Sequence, residues 1–169
     1  WCIGARWSRW ARSTGGRQER SSAGAWYSRL RDRQIDSVRA VDSDAVPGGD
    51  GRAWGSAYND LQDALAQAAT LNNDGDTSND VNAIWIAEGM YTPSARLEGG
   101  DTRSGSFSLV DGVTLYGGFA GSETARDQRD WDQHPTILDG EDTRRCVLGA
   151  NDATLDGFTV THGNAENGG

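Results

Sequence analysis

Residues 110–120 read VDGVTLYGGFA, and residues 155–165 read LDGFTVTHGNA. Both follow the pattern apolar-Asp-Gly-x-Thr-apolar-x-x-Gly-x-Ala, with Asp111 and Asp156 separated by 45 residues. Shorter steps accompany this echo. Ile86 to Leu109 is 23 residues, Val113 to Ile137 is 24 and Ile137 to Val160 is 23, so the 45-residue distance fits two such steps. A solenoid that winds three short strands and three turns per coil returns to the same place after roughly 20–25 residues. The period therefore predicts stacked coils joined by parallel backbone hydrogen bonds. Val113, Leu115, Ile137 and Val160 are expected to point inward. The Asp-Gly pairs at 111–112, 139–140 and 156–157 are expected at corners, where positive φ or side-chain-to-backbone bonding is needed.

Working outward, the apolar runs AIWIAEG, SFSLVDG, VTLYGGF, TILDG, CVLGA and ATLDGFTVTHG alternate with Gly, Asp and Asn turns. No helical pattern separates them, which argues against an alternating βαβ fold. One helix is predicted, ahead of the strands. In AYNDLQDALAQAAT, Leu61, Ala64, Leu65 and Ala68 recur at i, i+3, i+4 and i+7. Asn59 with Gln62 three residues later resembles a capping box. The open end of a coil exposes apolar core and unpaired strand edges, and this stripe suits a cap over the first coil. The stretch ends at Gly169 within NAENGG with no second cap in its text, so further coils are expected to follow.

The first forty residues differ from the rest. Residues 1–41 hold nine Arg against three acids, whereas 42–169 hold seven Arg against 22 acids, giving net charges of +6 and −15. Four of the seven Trp lie in this first stretch. It lacks the apolar core of a secretory signal. The division expected is 1–40 as a disordered or misassigned leader and 41–169 as cap and coils. The acidic body disfavours nucleic acid, whose phosphates need clustered positive charge, and anionic lipid. Two cysteines, Cys2 and Cys146, draw no disulfide framework, and Cys146 reads as a buried small apolar residue. No run of 18 apolar residues is present.

Four segments carry a resemblance: GGDGRAWGSAYNDLQDALAQA (48–68), NDVNAIWIAEGMYTP (79–93), SFSLVDGVTLYGGFAGSETARDQRDWDQHPTILDG (106–140) and ATLDGFTVTHGNAENGG (153–169). They resemble the amino-terminal region of bacterial right-handed parallel β-helix repeat proteins with a pectin-lyase-like fold, including the polymorphic outer-membrane-protein-like group. LYGGFAGSETARDQRDW is the most specific element, because strand packing alone does not demand its order. The resemblance implies an all-β, right-handed parallel β-helix with an N-terminal amphipathic cap helix. It also implies export to the cell surface or outer membrane and an adhesin-like role, with glycans or surface proteins as partners. Any outer-membrane attachment would come from segments beyond this stretch.

Candidate chemistry is sparse. Asn72, Asp74, Asp76 and Asp80 in LNNDGDTSNDVN supply oxygen ligands of the kind Ca²⁺ takes. However, Thr77 and Ala83 occupy the positions where an EF-hand-type loop needs Gly and Glu. A solvated loop is expected, with calcium the lesser alternative and no other cofactor. Asp139, Glu141 and Asp142 beside Arg144 and Arg145 could serve a polysaccharide lyase, in which acids hold calcium and a base takes a proton. An exposed salt-bridged turn is the simpler expectation. His134 and His162 have no nucleophile or metal partner at a recognisable spacing and read as structural. Trp54, Trp85 and Trp131 could stack on sugars where exposed; core or cap packing is the expectation. No catalytic residue is assigned. The leading function is a non-enzymatic secreted or cell-surface protein presenting an extended recognition face. The alternative is a carbohydrate-active lyase or hydrolase on the same scaffold.

Overall fold

The computed structural model describes residues 37–94 and 105–164. Among them, in chain order, run β1 (Val38–Val41), α1 (Leu61–Leu71), β2 (Ala83–Ala87), β3 (Gly89–Tyr91), β4 (Ser106–Ser108), β5 (Thr114–Phe119), β6 (Thr136–Arg144), β7 (Cys146–Leu148), β8 (Thr154–Asp156) and β9 (Phe158–Gly163). Single 3-10 turns lie at Trp54–Ser56 and Arg126–Gln128. The strands form three sheets ordered β1-β2-β5-β8, β3-β6-β9 and β4-β7. Every strand pairing is parallel. From β2 onward, consecutive strands fall in different sheets: β2 leads to β3, β5 to β6 and β8 to β9. The described residues are thus all-β apart from one α-helix. Val38, Arg39 and Ala40, which composition assigns to the leader, belong to β1, and Arg39 and Ala40 are buried.

Strand alternation builds the core. Ile84, Ile86, Leu115, Phe107, Val113 and Leu138 are wholly buried and form one cluster with Val41, Tyr91 and Cys146. The helix adds its predicted stripe, with Leu61, Ala64 and Ala68 at 0% exposure and Leu65 at 2%. Burying each Leu is worth about 1.5–3 kcal/mol. Asp60, rather than Asn59, caps the helix: it is extended at φ −126° and its carboxylate accepts the Gln62 N–H. A cap of this kind contributes about 1 kcal/mol.

The structure sets a different repeat from the 45-residue echo. Ser106–Ser108 pair with Cys146–Leu148 and Thr114–Tyr116 with Thr154–Asp156, a constant step of 40 residues. Asp111 therefore lies beside Asn151, accepting its backbone N–H at 2.9 Å and its side-chain amide at 3.2 Å. Asp156 stands opposite Tyr116. Only β6 to β9 shows the short period, with Thr136 opposite Phe158 at a step of 22. The β1–β2 step contains α1, and the β3–β6, β4–β7 and β5–β8 steps contain the loop at 120–135, whereas β2 to β5 advances 31 residues without either.

Two inward expectations also shift. Val113 and Leu115 are buried, but Thr136 and Leu138 take the inner positions of β6 and leave Ile137 half-buried. Val160 faces Leu138 in register yet is 52% exposed, because β9 is the last strand of its sheet among the described residues. Gly112 and Gly157 are corners with φ of +72° and +82°. Asp139-Gly140 is not. It lies within β6, and the left-handed conformation moves on to Glu141 and Asp142.

A loop-mounted aromatic–arginine cluster as candidate functional site

One register row of the largest sheet contains Ala40, Trp85, Tyr116 and Asp156. It neighbours the inward row of Ile84 and Leu115, so alternation turns Trp85 and Tyr116 to the outer face. Trp85 is half-buried and stacks on Phe119, ring centroids 4.9 Å apart and 13° from parallel. Trp54 packs on the same Phe119 at 5.6 Å, and its indole N–H donates to the Glu123 carbonyl at 2.9 Å. Both are packed, but on Phe119 and outside the core cluster, whereas the sequence predicts core or cap packing. Trp131 is 52% exposed.

The loop at 120–135 sits against this face and is held by its own side chains. The Glu123 carboxylate accepts three successive backbone N–H groups, from Ala120, Gly121 and Ser122, at 2.6, 3.1 and 2.9 Å. Partial burial pushes its pKa up, but the Ala120, Ser122 and Gly121 N–H groups outweigh that and leave it below its ordinary value. Gln128 accepts from the N–H groups of Thr124 and Ala125. Asp130 accepts from those of Asp132 and Gln133, while its own N–H reaches the Gly118 carbonyl at 2.7 Å.

Two arginines fix the loop to the sheet. Arg129, 11% exposed, contacts the Asp156 carboxylate at 2.6 Å and the Asp156 carbonyl at 3.1 Å. Its guanidinium carbon lies 4.9 Å from the Tyr116 ring centroid and 5.2 Å from that of Trp131. Arg126 lies 5.1 Å from the Tyr116 ring and donates to its hydroxyl at 2.9 Å. Gly118, at φ +89°, lets the Trp131 backbone approach; a Cβ there would stand 2.9 Å from its N and Cα. Two arginines and two aromatic rings thus alternate in one assembly.

Several of the other sequence candidates are spent locally. Asp74 accepts from the Asp76 N–H and the Asn79 amide, and Asp76 from the Ser78 N–H and hydroxyl. Asn72 clamps both backbone groups of Val81. At the β6–β9 corner, Arg144 pairs with Glu141 at 2.7 Å, as the salt-bridged turn predicts. The Glu141 N–H and, secondarily, His162 at 3.1 Å hold the Asp139 carboxyl below its ordinary value against the opposing effect of burial. Asp142 and Arg145 are exposed. His134 faces Glu88 at 3.3 Å. Cys146 is buried, and burial raises its thiol pKa, with the Asp139 charge adding to the effect.

Sequence reasoning marked the loop as specific but missed Tyr116, Glu123, Arg126, Gln128 and Arg129 as a working group. A partial signal was available in the i, i+3 spacing of the two arginines. Their meeting with Tyr116 and Asp156 depends on the β5–β8 register, which the misleading 45-residue echo obscures. Comparison with protein-family models, with curated proteins and with solved structures returns no match to this chain.

Proposed function

We propose that these sheets are part of a right-handed parallel β-helix capped by α1, in a secreted or cell-surface protein that acts by binding, adhesin-like, through its outer face. The parallel pairing of all three sheets and the resemblance of the four sequence segments support this reading. The observation that carries the binding role is the rigid presentation of the exposed Trp131, with Arg129 over its ring, on the outer face. Contact surfaces gain affinity when their aromatic anchors are ordered before the partner arrives. Of the lyase candidates at 139–145, Glu141 and Arg144 pair with each other and Asp139 accepts the Glu141 N–H, which favours binding over catalysis.

The test is protease treatment of intact cells that make the protein, followed by detection with an antibody against residues 41–169. Loss of the signal while a cytosolic marker survives is expected. Protection until lysis would overturn the surface reading. Release of unsaturated uronides or new reducing ends from pectic polysaccharide by the purified chain would favour the enzyme instead.

A further inference from the structure

We propose that Trp131 is the stacking platform of a binding site for a neutral pyranose ring. The proposal rests on the binding role above and specifies its ligand. A lone exposed hydrophobic side chain is ordinary on a protein surface. Trp131 differs in how it is mounted. Its backbone rests on Gly118, and Arg129 lies over its ring. The preceding Asp130 is tied to the Gly118 carbonyl and to the N–H groups of Asp132 and Gln133. An indole fixed in this way loses little freedom when a flat partner settles on it.

The surroundings select the partner. Among the described residues, the other large exposed apolar side chains are Val46, Met90, Leu148 and Val160, in a different turn and on three other strands. In the loop itself Trp131 is followed by the exposed Asp132 and Gln133. A protein interface core would need a contiguous apolar patch. A sugar ring instead offers an apolar C–H face and a rim of hydroxyls, matching one aromatic plane edged by polar groups.

Charge selects neutrality. Residues 120–135 hold Glu123, Asp127, Asp130 and Asp132 against Arg126 and Arg129, and Arg129 is paired with Asp156. With the whole chain at −9, an anionic polymer meets a repulsive field. Arg126 is turned onto Tyr116, donating to its hydroxyl and lying over its ring.

The experiment is affinity electrophoresis of the full chain through gels containing a neutral galactomannan, a neutral β-glucan or polygalacturonate. Wild type, Trp131→Ala and Trp131→Phe are compared after circular dichroism shows equal folding. At least one neutral polymer is expected to retard the wild type at both low and high salt. Trp131→Ala is expected to weaken that binding roughly tenfold or more, as for an interface anchor, with Trp131→Phe between the two. Equal retardation of Trp131→Ala, selective retardation by polygalacturonate, or no retardation by either neutral polymer would each overturn the proposal. The surface location is decided separately by protease treatment of cells and stands or falls without this result.

Discussion

Glu123 illustrates how a single side chain can set the shape of a loop. Three neighbouring N–H groups converge on one carboxylate, a concave anion site filled from within the chain. Removing it in Glu123→Ala is expected to cost about 1–2 kcal/mol at neutral pH, measured by denaturant unfolding. Its folded pKa lies below the ordinary 4.5, so its contribution is present above that value and is lost as pH falls through the lower, folded value. The stability gap between wild type and Glu123→Ala should therefore narrow in acid. Tyr91 works at the opposite end of the scale. Burial raises its phenol to about 12, while its hydroxyl donates to the Ala87 carbonyl and accepts from the Ser43 N–H. An absorbance titration should show one tyrosine ionising near that value. Because its folded pKa is raised, its contribution persists below pH 10 and is lost as pH rises toward 12. Neither role was visible in the sequence, since each depends on groups brought close by the local fold.

Among the elements, the helix was the most legible. Four apolar residues at helical spacing identified it and the face it buries, because that pattern depends only on the pitch. Leu65→Ala should destabilise the protein by about 2–4 kcal/mol, since it empties a buried site between α1 and the sheets. The cap was displaced by one residue because Asn59 and Asp60 are both good capping residues, and only backbone conformation distinguishes them. Strand positions were also legible; their register was not. The Asp-Gly text matches at 45 residues, whereas the structure superposes Thr114-Leu115 on Thr154-Leu155. A corner requires a residue that tolerates positive φ, and Gly112 and Asp152 both satisfy it, at +72° and +54°. Chemical identity at a turn is thus a weaker guide to register than the apolar residue packed behind it.

Across the whole molecule, the outer-face cluster joins residues from β5, the loop and β8, and no local pattern could have announced it. Arg129 is the link between them. Replacing it with Ala should leave the core intact but speed hydrogen exchange of the amides at 124–133, by removing the contacts to Asp156 and Tyr116. Unchanged exchange there would show that Glu123 and Gln128 hold the loop unaided. The sheet orders β1-β2-β5-β8, β3-β6-β9 and β4-β7 bear on how such a chain is made. In each, a strand's earlier partner always precedes it in the chain. As the polypeptide emerges from a ribosome, every strand from β5 onward meets a template already laid down. Assembly can then proceed at the pace of synthesis, without holding finished edges open for a segment from the far end.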